Sequence, residues 1–90
     1  MILNYGLFPV LEVFVIKGRG VVAAGKVAEG TFQAGDDVVI LRHDGSEVKS
    51  KVNGIEIFGV FPYAAKGDMV GLLLAGISIE DINSGDLIKR

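Results

Sequence analysis

Asp44-Gly-Ser-Glu-Val-Lys-Ser-Lys-Val-Asn-Gly-Ile-Glu-Ile-Phe58 is the stretch on which the fold turns. Asp44-Gly45 stands between two β-forming runs, Val38–His43 and Glu47–Phe58, and reads as a hairpin turn. In the second run Glu47, Lys49, Lys51 and Asn53 are polar at odd positions, with Val48 and Val52 between them. After Asn53-Gly54 the odd positions become apolar, at Ile55 and Ile57, and Glu56 takes an even one. Side chains in a strand alternate with period two, so a parity change requires an extra residue. A bulge at Asn53-Gly54 supplies it and bends the strand, as a small barrel requires.

The rest of the chain repeats this style. Pro9–Lys17 reads as a first strand, Lys17-Gly-Arg-Gly20 as a turn, and Val21–Ala28 as the returning strand, ended by Glu29-Gly30. The small residues Ala23, Ala24 and Gly25 mark a close approach of another backbone or a ligand. Ala34-Gly35-Asp36, Lys66-Gly67-Asp68 and Ser84-Gly85-Asp86 each precede an apolar run and read as tight turns into strands. Ser78-Ile-Glu-Asp81 reads as a capping sequence for one helical turn. Valine and isoleucine dominate the apolar residues, and no long helical stripe is present. The fold class expected is all-β, a barrel or a sandwich, with residues 1–90 as one domain.

Composition removes other classes. The chain has 90 residues, 13 glycines, no cysteine, 50% hydrophobic residues and a formal charge of −2. Glycine without a G-x-y period excludes collagen, and the apolar half excludes disorder. Without cysteine there is no disulfide framework, and a cytoplasmic setting is expected. The run Val70–Ile77 is too short to span a bilayer, so no membrane partner is expected. The negative balance gives little long-range attraction to phosphate.

Recognisable catalytic chemistry is missing from the residues. His43 is the single histidine and stands beside the Asp44-Gly45 turn, where it reads as solvated. No metal set, cofactor site or nucleophilic triad is expected, so the chain does not read as an enzyme. Gly20-Val-Val-Ala-Ala-Gly25-Lys26-Val27 matches the start of a phosphate-binding loop but has valine where Ser or Thr must hold magnesium. Its intervening residues are strand formers and no helix follows, so no nucleotide binding is expected of this chain alone.

Several strings carry a resemblance. They are Phe8-Pro-Val-Leu-Glu-Val-Phe14, Gly18-Arg-Gly20, Val22-Ala-Ala-Gly-Lys-Val-Ala-Glu-Gly30, Ala34-Gly-Asp36, Gly54-Ile-Glu-Ile-Phe58, Gly67-Asp-Met-Val-Gly-Leu-Leu-Leu-Ala-Gly76 and Ile82-Asn-Ser-Gly-Asp-Leu87. In this order, from about Phe8 to Lys89, the chain resembles domain 2 of elongation factor Tu-like translational GTPases. The resemblance implies a small closed Greek-key β-barrel of six to seven strands. The GTPase domain and third domain of such factors are not in this sequence.

The resemblance also implies a site. In the family the barrel holds the aminoacylated 3′ end of tRNA, and the terminal adenosine pocket falls on Ile16, Val22, Glu56 and Leu73. Apolar side chains there sandwich a base and a carboxylate accepts a ribose or base proton. The region for the aminoacyl end is partly retained, at Glu12, Phe14 and Arg19. One of its paired acids is Leu11 here, its threonine is Ala24, and two arginines become Gly59 and Ala75. Losing charged partners of this kind argues against tight aminoacyl-tRNA recognition.

The leading expectation is therefore a translation-factor-like barrel module without GTPase activity, acting by protein contacts or self-association. Its candidate interface is Phe58, Val60, Phe61 and Tyr63. One alternative is an RNA-binding module holding a tRNA-like 3′-terminal adenosine, with Lys17, Arg19, Lys26, Lys49 and Lys51 as phosphate contacts. Another is a domain 2 excised from a larger translational GTPase.

Overall fold

The turns come first, because they place the strands. A computed structural model describes residues 5–56 and 60–90, with the backbone alone described for Val60 and Phe61. In three Gly-Asp turns the aspartate carboxylate accepts the backbone N–H three residues earlier. Gln33 donates to Asp36 at 2.8 Å, Ala65 to Asp68 at 2.9 Å and Asn83 to Asp86 at 2.8 Å. In each the aspartate N–H donates back to the carbonyl of that same residue. The intervening glycine sits at φ 94–95°, as the third residue of a type II turn requires. Ser78 and Asp81 make the same reciprocal pair around a single 3-10 turn, Ile79–Asp81.

Nine strands result among the described residues: β1 (Gly6–Ile16), β2 (Gly20–Lys26), β3 (Glu29–Gln33), β4 (Asp37–Leu41), β5 (Glu47–Glu56), β6 (Val60–Phe61), β7 (Tyr63–Ala65), β8 (Met69–Leu74) and β9 (Leu87–Lys89). All pairings are antiparallel. Six strands close a barrel in the order β1-β2-β8-β5-β4-β9 and back to β1. Strand β9 returns to lie beside β4, so β9-β4-β5-β8 has the Greek-key order. The sandwich alternative is thereby removed. Three short strands are added to the six: β6 on β5, and β3 with β7 beside the start of β1.

The bulge expected in β5 is present. Val52 faces Leu74 and Gly54 faces Leu73, so two steps on β5 match one on β8. Val52 before the bulge and Ile55 after it both point into the core. A second bulge was not legible. In β1, Val10 faces Gly25 and Glu12 faces Ala24, leaving Leu11 as the extra residue. Val10 before it is buried in the core and Val13 after it packs against the core.

Several strand limits differ from expectation. Strand β1 begins three residues earlier than Pro9, β2 ends at Lys26 rather than Ala28, and β4 ends at Leu41 rather than His43. At Val27 the chain leaves β8: Val27 N–H donates to Asp68, and Ala28 N–H to Leu7. Glu29-Gly30 then starts β3 instead of ending β2. A Cβ on Gly30, at φ +68°, would fall 1.9 Å from the Tyr5 carbonyl oxygen. Glycine is obligatory at that crossing.

The barrel interior is filled by Phe8, Ile40, Val52, Ile55, Leu72, Ile82 and Ile88, with Phe32 edge-on to Phe8 at 5.9 Å. Alternation leaves Val22 and Leu73 outside this cluster although both are buried. They belong to the opposite face of the wall.

Candidate functional site

That outer face is built by four adjacent strands, β1, β2, β8 and β5. Register places its side chains in rows. One row runs Glu12–Ala24–Gly71–Glu56, and the next runs Phe14–Val22–Leu73–Gly54. In the first row two small residues separate two carboxylates over three strand spacings, about 14 Å. Short side chains in the middle and long ones at the rim make a trough. Its volume is about 490 Å³, and it is lined by Leu11, Glu12, Phe14, Ile16, Val22, Ala24, Glu56 and Met69.

The bulge at Leu11 decides what β1 contributes. Past it, Glu12, Phe14 and Ile16 share the outer face, while Leu11 stands 65% exposed at the rim. The Ser84–Asp86 turn holds the bulge in place. Val10 N–H donates to the Asp86 carbonyl, Gly85 N–H to the Val10 carbonyl, and Ser84 Oγ to the Leu11 carbonyl, each at 2.8 Å.

Charge in the trough is asymmetric. Glu56, with its side chain 13% exposed, is ion-paired with Arg19, which reaches over from the β1–β2 turn and is 48% exposed. Glu12 is exposed and has no ion-pair partner among the described residues. Apolar residues fill the space between: Phe14 is 38% exposed and Met69 53% exposed.

Sequence-derived candidates converge here. Ile16, Val22 and Glu56 line one trough, and Leu73 pairs with Val22 from the next strand, 6% exposed beneath the surface. Glu12 and Phe14 line the same trough, and Arg19 enters it through Glu56. The other candidate set is only partly described. Phe58 lies outside the described residues; Val60 and Phe61 pair by backbone with Glu56 and Ile55. Tyr63 is exposed and borders a second depression of about 200 Å³ with Asp68, Met69 and Val70. Met69 is common to both.

A model of the family described as Elongation factor Tu domain 2 matches residues 20–88. The chain belongs to that family. Its match begins at Gly20, after the β1 residues that form one wall of the trough, and covers the other three strands of the site completely. The elongation factor Tu domain 2 barrel here thus carries a recessed outer face continuous with its matched region.

Of the lining residues, Met69 was not singled out from sequence, although it falls at even steps from Gly71 and Leu73 on its strand. Ala24 was expected at a close approach of a backbone or ligand, and Leu11 and Ala24 entered the resemblance only as departures from the aminoacyl-end pattern. The bulge that sets Leu11 at the rim had no signal, because both parities of β1 are apolar. Among the described residues no cluster of three or more His, Cys, Asp or Glu is placed to hold a metal ion. Nor is any helix there long and apolar enough to cross a membrane.

His43 is side-chain exposed, just past the end of β4 where Leu41 pairs with Leu87 of β9. Its Nδ1 lies 3.5 Å from the buried Asp86 carboxylate, which also accepts the His43 backbone N–H at 3.1 Å. Asp86 is a turn anchor that accepts the backbone N–H groups of His43 and Asn83, and Ser84 in the same turn donates its hydroxyl to the Leu11 carbonyl instead.

Proposed function

We propose that this chain is a non-enzymatic binding module, acting in the cytoplasm through protein contacts made by the outer-face trough. The observation that carries the reading is the grouping of Leu11, Phe14 and Met69, all exposed, around one apolar recess. Exposed apolar side chains gathered around one recess are the kind of surface that a binding partner covers. Tyr63 extends it through the depression shared with Met69, so the site continues into the segment expected from sequence to be an interface. Catalysis and nucleotide hydrolysis have no constellation behind them in these residues.

A second reading is retained on one observation: Ile16, Val22 and Glu56, the adenosine set implied by the family, line one trough. It places an RNA 3′ end there. One feature counts against it: the Glu56 carboxylate is already engaged by Arg19.

Photo-crosslinking from position 69 separates the two. A benzophenone side chain in place of Met69, in extract of the source organism, yields nuclease-resistant protein adducts on the first reading. The same probe at Glu47, on the exposed edge of β5, yields none of them. Adducts that disappear with ribonuclease overturn the protein reading in favour of the RNA one.

A further inference from the structure

This inference rests on the protein-contact reading and names the chemistry of the partner. The trough is apolar along its length, yet it carries one carboxylate, Glu12, with no ion-pair partner among the described residues. Glu56 at the opposite side is neutralised by Arg19, so the two ends of the Glu12–Ala24–Gly71–Glu56 row are electrically unlike. An occupant that covered the recess with apolar groups alone would strip water from Glu12 without replacing it, which is costly for a charge. An anionic occupant would add repulsion to that cost. A cation placed beside Glu12 removes it, and the adjacent Phe14 ring offers a second favourable surface for that cation.

We propose that the trough takes an extended peptide segment in which a single arginine or lysine is flanked by apolar side chains. The cation meets Glu12 and Phe14, and the apolar neighbours fill the space between Leu11, Ala24 and Met69. Met69 suits this role because an unbranched thioether adapts to irregular partners. The net charge of −2 favours approach of a basic segment at low salt and disfavours a polyphosphate chain.

The experiment is selection of a random heptapeptide phage library on the whole chain, in parallel on wild type, Glu12→Gln and Ala24→Leu. Glu12 is exposed, so its amide variant keeps the fold, which circular dichroism checks for all three proteins. Wild type is expected to enrich peptides with one Arg or Lys beside Leu, Ile, Met or Phe. Glu12→Gln keeps the apolar preference and loses the basic one; a synthetic arginine peptide from the selection then binds it about tenfold more weakly, and its citrulline counterpart binds both proteins alike. Ala24→Leu, which fills the floor, loses the enriched peptides altogether. Equal basic enrichment on wild type and Glu12→Gln overturns the cation assignment and leaves the groove reading standing. Enrichment that Ala24→Leu does not disturb, or none above background, overturns both.

Discussion

Ser84 Oγ donates a 2.8 Å hydrogen bond to the Leu11 carbonyl, 73 positions away in the chain. A turn that enters the last strand thereby holds the bulge in the first. The bulge in turn sets Glu12, Phe14 and Ile16 on the outer face. Ser84→Ala removes this bond at an exposed site, where water replaces part of it, so the expected stability loss is about 0.5–1.5 kcal/mol. The more telling readout is local: amide shifts of Glu12 and Phe14 move while those of β4 and β5 stay. Unmoved Glu12 and Phe14 signals would show that the bulge holds without Ser84.

Asp86 does the same job as Asp68 in its own turn, but inside the protein. Asp86 is 1% exposed and its carboxylate serves the backbone N–H groups of Asn83 and His43. Asp86→Ala leaves these donors without their acceptor, at about 1–3 kcal/mol for each that water cannot reach. Asp68 is exposed and holds one N–H, so Asp68→Ala costs about 1 kcal/mol or less. Urea denaturation of the two variants measures the difference. Equal midpoints would remove the burial argument.

Gly25 and Gly45 are needed for different reasons, and alanine distinguishes them. A Cβ on Gly25 lies 2.5 Å from the Pro9 carbonyl oxygen and 3.3 Å from the Phe8 ring. The backbone of β1 must shift, and a loss of about 1–3 kcal/mol is expected, as for overpacking. At Gly45 nothing lies within 4 Å, and the penalty comes from φ +90° alone, about 1–2 kcal/mol. Differential scanning calorimetry gives both losses. Amide shifts across β1 move only for Gly25→Ala.

Arg19 and Glu56 form an ion pair of unequal partners. Half of the Arg19 side chain is in water and can be solvated alone, whereas Glu56 is mostly enclosed. Arg19→Met strands a poorly solvated carboxylate, while Glu56→Gln leaves a solvated guanidinium. The first variant is therefore expected to unfold at lower urea than the second, with Glu56→Gln within about 1 kcal/mol of wild type. The reverse order would mean that Glu56 reaches water by another route.

The Asp44 carboxyl is held below its ordinary value of 3.8 by the Ser46 hydroxyl first and the Ser46 backbone N–H second. A lowered folded value means that the hairpin turn gains stability from ionised Asp44 above the unfolded value. That gain disappears as pH falls through the lowered one. Ser46→Ala removes the larger cause, so the Asp44 carboxyl carbon titrates at higher pH by NMR. An unchanged midpoint would assign the effect to the backbone bond alone.

Legibility in the sequence followed alternation. The β5 bulge could be read because Lys49, Lys51 and Asn53 are charged or polar on one parity, and Ile55 is apolar on that parity after Gly54. The three Gly-Asp turns could be read because glycine and aspartate each do one local job there. Nothing comparable marks Leu11: its neighbours Val10, Val13 and Val15 are apolar on both sides of the bulge, so no parity change is visible. The family resemblance named Glu56 and Arg19 separately, and only the pairing of β2 with β8 and of β8 with β5 brings them into contact. Phe58, in the expected interface, lies outside the described residues.

The thirteen glycines and the β-branched runs determined by themselves that the chain is a small all-β fold with tight turns at definite places. Those are local properties, because turn φ values and period-two alternation involve residues a few positions apart. The trough was decided by tertiary structure. Its floor exists because Ala24 and Gly71 are neighbours across β2 and β8, and its walls because Ser84 and Gly85 hold β1 out of phase at Leu11. Both depend on register between strands distant in sequence, which barrel closure sets and no local pattern of residues contains.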